Sequence, residues 1–147
     1  MTKLIVSNIF ESMLYKSYSF LIDDYDFSIN KNGDYDYTAS TQNIRLRIFV
    51  EHLTLVTNLV PIGDEASKLL RINITPRSIG VTTICEYFDP SLHYGVEMID
   101  KKEFVQNIPV ELERRAKLLK KYCGNMLQGD FSDWSGLVKY IFDMGRK

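Results

Sequence analysis

Between Thr2 and Leu21 the positions Val6, Phe10, Met13, Leu14, Ser17 and Leu21 fall in an i, i+4, i+7, i+8 rhythm, the spacing that lays one stripe along an α-helix. Asp23, Asp24 and Tyr25 interrupt it, so the helix is expected to end there. Phe27 and Ile29 then alternate with Ser28 and Asn30 before Asn30-Lys31-Asn32-Gly33, which predicts a strand followed by a hairpin turn. Tyr35, Tyr37 and Ala39 alternate with Asp36 and Thr38 in a second strand. The run Ile44, Leu46, Ile48, Val50 against Arg45, Arg47, Phe49, Glu51 gives the cleanest period-2 signal in the chain. Thr54 to Ile62 is rich in β-branched residues and closes at Pro61 and Gly63. Connections this short cannot hold parallel crossovers, so the four strands predict an antiparallel meander.

A loop is expected around Gly63-Asp64-Glu65, and Ile72 and Ile74 read as a short strand. Ser78 to Phe88 reads as a helix closed by Asp89-Pro90, although its Val81-Thr82-Thr83-Ile84 run would also suit a strand. Farther on, Leu112, Ala116, Leu119, Cys123 and Met126 mark one helix face, with Pro109 in its first turn and Gly129 at its end. Asp130 or Ser132 can cap a last helix whose stripe is Trp134, Leu137, Val138, Ile141 and Phe142. The expectation is one α+β domain over residues 1–147. In it, an antiparallel sheet of four or five strands packs against an N-terminal helix and two C-terminal helices.

Composition adds constraints. A hydrophobic content of 45% over 147 residues can supply a core, and 18 basic against 19 acidic side chains leave a net charge of −1. No global excess of charge points to nucleic acid. Apolar runs such as 53–62 fall short of the roughly 20 residues that span a bilayer. The start MTKLIVSNIFESMLY has no small-residue cleavage site after its short apolar patch, which argues against a secretory signal. Cys85 and Cys123 lack any framework spacing, so reduced thiols in a cytoplasmic protein are expected, a single disulfide being the other state two cysteines allow.

Few motifs carry chemistry. His52 and His93 stand in no zinc-ligand spacing, and a nucleophilic dyad of Cys85 with His93 or Cys123 with His52 rests on residue type alone. The glycines occur singly, with no phosphate-binding loop, and no nucleophile elbow is present. No metal or cofactor is expected, and a non-catalytic role follows, with an unrecognised hydrolase as an alternative. The strongest polar feature is Asp23, Asp24, Asp26, Asp34 and Asp36, which a paired hairpin could bring together on one edge. Their order does not fit a calcium loop. They suit either a solvated turn or an anionic docking surface for a cationic groove on another protein. Charge is also segregated: residues 81–100 hold four acids and no Lys or Arg, whereas residues 101–121 hold seven basic and three acidic side chains. Lys101, Lys102, Arg114, Arg115, Lys117, Lys120 and Lys121 suit the wet face of a helix, with phosphate contact as the alternative.

The order of elements, together with FLIDDYDF at residues 20–27 and ELERRAKLLKKYCGNMLQGDFSDW at residues 111–134, resembles small bacterial immunity proteins encoded beside toxin domains in polymorphic-toxin and contact-dependent growth inhibition systems. The resemblance implies a cytoplasmic protein that neutralises one cognate toxin, for instance a nuclease, by binding it. It assigns no contact residue. The acidic cluster is the expected contact.

Overall fold

The computed structural model describes residues 3–52, 54–92 and 104–145. Among them the chain forms an α+β fold in which a five-stranded antiparallel sheet, in the order β1-β2-β3-β4-β5, packs against helices. Helix α1 spans Lys3–Tyr25. Its inward line is Phe10, Leu14, Tyr18 and Leu21, all fully buried, with Ser7 one turn earlier. Tyr18 therefore takes the inward place expected of Ser17, and the helix runs through Asp23 and Asp24 instead of stopping before them. Asp26 ends it in a left-handed conformation (φ 59°), and the Phe27 N–H returns to the Leu21 carbonyl at 3.0 Å.

Strand β1 (Ser28–Gly33) pairs with β2 (Asp36–Ser40). The expected turn at Asn30–Gly33 is instead strand, and the reversal falls on Asp34 and Tyr35. A register irregularity between Lys31 and Gly33 and the Asn32 amide donating to the Thr38 hydroxyl at 2.6 Å hold these turn-prone residues in the ladder. In β3 (Ile44–Glu51) the alternation holds from Ile44 to Ile48 and departs at the end, where Phe49, expected on the outer face, is buried with Arg47 over its ring and Val50 is half-buried. Strand β4 (Thr54–Pro61) pairs with β3 along its whole length. Ile44, Leu46, Ile48, Leu55 and Leu59 are buried under the helices while Arg45 and Arg47 are exposed on the other face. Each such aliphatic burial contributes roughly 1.5–3 kcal/mol.

Helix α2 (Gly63–Arg71) replaces the expected loop. It has one buried residue, Leu69, so no apolar stripe announces it; Asp64 and Glu65 at its start and Lys68 and Arg71 at its end complement the helix dipole instead. Ile72 and Ile74 form no strand. Asn73 sits at φ 64°, its N–H bonds the Leu70 carbonyl and the Ile74 N–H bonds the Leu69 carbonyl at 2.9 Å, the two bonds of a Schellman cap. Strand β5 is Ile79–Gly80, and α3 runs from Val81 to Phe88 with Val81, Ile84 and Cys85 inward. Helical spacing of the buried side chains thus outweighs the β-branched run.

Helix α4 (Phe104–Tyr122) buries Leu112, Ala116 and Leu119 as expected, but Pro109 lies inside it and not in its first turn, because the helix begins at Phe104. The short α5 (Gly124–Leu127) ends at Gly129, φ 87°. Asp130 accepts the Ser132 N–H at 3.0 Å, and α6 (Trp134–Gly145) follows. Trp134 and Leu137 are fully buried, Val138 and Ile141 are half-buried, and Phe142 falls outside the stripe at 58% exposed. Residues from the sheet, α1, α2, α3, α4, α5 and α6 share one apolar core. No helix among the described residues is long and apolar enough to cross a membrane.

Candidate functional site

An open groove of about 720 Å³ lies where α1 ends. Three segments wall it: Asp24, Tyr25 and Asp26 at the end of α1; Thr41, Gln42 and Asn43 in the β2–β3 turn; and Leu127, Gln128 and Gly129 after α5. Ser28 and Ser40, opposite each other across the β1–β2 pair, also line it. The walls are fixed from within. The Thr41 hydroxyl accepts the Asn43 N–H at 3.2 Å, the Thr41 N–H bonds the Ile44 carbonyl at 2.9 Å and the Ile62 N–H bonds the Asn43 carbonyl at 2.8 Å. Gly63 packs so closely under this turn that a Cβ there would lie 2.4 Å from the Gln42 carbonyl oxygen, and its φ is 59°. Only glycine fits that contact without displacing the turn.

The electrostatics are one-sided. Asp23 and Asp24 stand in the last turn of α1, where the helix dipole already presents its negative end, and Asp26 follows directly. Carboxylates there oppose the dipole instead of complementing it, so their placement works against helix stability and deepens the negative potential at the groove. All three are exposed and have no ion-pair partner among the described residues. Facing them are side-chain amides and hydroxyls, groups that hydrogen-bond a polar ligand without carrying charge.

The five aspartates do not converge. Asp34 and Asp36 lie at the far end of β1, about 17 Å from Ser28 at roughly 3.3 Å per residue, because the strand runs straight through the residues expected to turn. Asp34 is exposed in the turn. Asp36 is engaged: Arg47 donates to its two oxygens at 3.1 and 2.7 Å, which holds its carboxyl below the usual carboxylate range against the opposing effect of burial. The same guanidinium lies 4.0 Å over the Phe49 ring. Thr41, Gln42, Asn43 and Gln128 carry no signal in the sequence that marks them for a site, and Gly129 is legible only as a helix end.

Three cations of the basic segment are engaged by the two glutamates of their own helix, whereas Lys120 and Lys121 lie over the Phe20 and Tyr122 rings without an ion pair among the described residues. Arg114 and Arg115 approach Glu111 at 3.1 and 3.5 Å, and Lys117 approaches Glu113 at 3.2 Å; Lys101 and Lys102 lie outside the described residues. The dyads weighed from sequence do not form where they can be followed. His52 is exposed in the β3–β4 turn, 4.0 Å from Glu51, and His93 lies outside the described residues. Cys85 and Cys123 are both buried and free; the Cys85 thiol donates to the Leu118 carbonyl at 3.9 Å, and the neighbouring Cys85 thiol followed by burial pushes the Cys123 thiol up. Among the described residues no group of three or more His, Cys, Asp or Glu could hold a metal ion. Comparisons with known protein families, curated proteins and solved structures find no match.

Proposed function

We propose that this chain is a non-catalytic cytoplasmic binding protein of the immunity type, which neutralises a cognate toxin by direct contact at the groove where α1 ends. The observation that carries the reading is the set of three exposed carboxylates without an ion pair among the described residues, Asp23, Asp24 and Asp26, at the negative end of the α1 dipole. Asp24 and Asp26 line the polar groove, and Asp23 stands beside them in the last turn of α1. A protein that acts on nucleic acid must present a cationic groove to hold phosphates. Carboxylates clustered on a helix end can occupy that groove and steer the encounter. Asp34 and Asp36 are left out of the contact, Asp36 because Arg47 already takes its charge.

The test begins with co-expression of the neighbouring reading frames and capture of the toxin on the tagged chain. Asparagine at Asp23, Asp24 and Asp26 together keeps size and hydrogen bonding while removing charge. Association is expected to slow about tenfold at low ionic strength, with the difference vanishing at high salt. An association rate unchanged at every salt concentration would remove this surface from the contact.

A further inference from the structure

A second groove, of about 290 Å³, runs between α1 and α4. Lys120 lies over the Phe20 ring at 5.6 Å, and Gly124 just beyond α4 sits beside the Tyr25 hydroxyl, so the two helices run in the same direction. Each contributes a matching stripe: Met13, Lys16 and Phe20 from one, Glu113, Ala116 and Lys120 from the other. Both stripes extend over about two turns, or about 10 Å. The floor is apolar, made by Met13, Phe20 and the small side chain of Ala116. Lys117 is paired with Glu113, but Lys16 and Lys120 have no ion-pair partner among the described residues. Two uncompensated ammonium groups therefore flank an apolar notch, on opposite walls and about one helical turn apart along the axis.

We infer that this groove docks a short amphipathic helix of another protein, bearing an aliphatic side chain between two carboxylates one turn apart. Two helices lying side by side leave a furrow into which a third helix packs by the same ridge-and-groove fit that builds bundles. Residues on one face of such a helix recur at i, i+3 and i+4, so one aliphatic side chain seats over Ala116 while carboxylates on the flanking turn reach Lys16 and Lys120. Glu113 at the other end of the furrow is paired with Lys117, so the two free ammonium groups carry the recognition. This surface is separate from the acidic groove, and its partner has the opposite charge.

The probe is an alanine-based helical peptide of roughly fifteen residues, long enough to hold helix, with one Leu flanked by two Glu. It is added to the full chain labelled for two-dimensional NMR. Saturable shifts are expected at Ser17, Phe20, Ala116 and Lys120. The Lys16→Gln/Lys120→Gln double variant, whose substitutions are on exposed side chains and leave melting unchanged, is expected to weaken binding about tenfold. Equal binding by a peptide with Gln in place of both Glu, shifts centred elsewhere, or saturation by decanoate or a single-stranded oligonucleotide without a response to the peptide would each overturn the assignment. No toxin enters the experiment, so its outcome is independent of the proposed immunity role.

Discussion

Asp26 occupies a left-handed conformation that glycine fills most easily at the end of a helix, and does so with φ 59°. An L residue there sacrifices about 1 kcal/mol relative to glycine, and the neighbouring dipole adds to the penalty on its charge. Asp26→Gly is therefore expected to raise the melting temperature while slowing association with the partner. Asp26→Asn, which tolerates the same backbone, is expected to slow association with less gain in stability. Calorimetry and stopped-flow kinetics on the same two variants check both halves; a glycine variant that melts lower would show that the carboxylate stabilises the helix end.

At the scale of elements, α6 is attached to the core by few side chains, so its energetics are concentrated. Trp134 is fully buried against Phe131, ring centroids 5.5 Å apart and nearly perpendicular. Only Leu137 is buried as completely on this helix. Removing a large buried aromatic costs about 3–5 kcal/mol, a large part of the roughly 5–15 kcal/mol that separates folded from unfolded domains. Trp134→Ala is thus expected to lower the melting temperature sharply. Lys139→Ala, on the exposed side of α6, is expected to change stability by no more than about 0.5 kcal/mol. Equal melting of the two variants would mean that the helix does not belong to the cooperative core.

For the whole molecule, pH acts through buried tyrosines. Burial pushes the Tyr18 hydroxyl up to about 12 from an ordinary 10.0, with Thr57 and Arg115 opposing the shift. Burial followed by the Glu11 charge does the same for Tyr37. Above pH 10 the unfolded chain loses these protons while the folded chain keeps them, so unfolding is favoured as pH rises. The stabilisation is complete below about 10 and disappears through about 12. Melting curves across this window should fall steeply, and Tyr18→Phe should flatten the fall. A melting temperature independent of pH between these values would contradict the burial of both hydroxyls.

The sequence by itself determined the elements whose apolar spacing is dense: α1, the β3 alternation, α4 and α6. In each, burial demands a hydrophobic residue at most inward positions, with Ser7 in α1 and Arg115 in α4 as buried polar exceptions, so the period is largely written into the chain. It could not reveal α2, which buries only Leu69 and is stabilised by terminal charges and the Asn73 cap, nor the strand through Asn30–Gly33, where cross-strand pairing overrides turn preference. Asp23, Asp24 and Asp26 were legible as an acidic cluster because they are adjacent in sequence. That Asp34 and Asp36 stand apart from them was decided by the length of β1, and that Arg47 neutralises Asp36 by the register of β2 on β3. Gln42, Asn43 and Gln128 join the groove only in three dimensions. Exposed polar side chains serve no core and carry no period, so tertiary packing alone sets which of them meet.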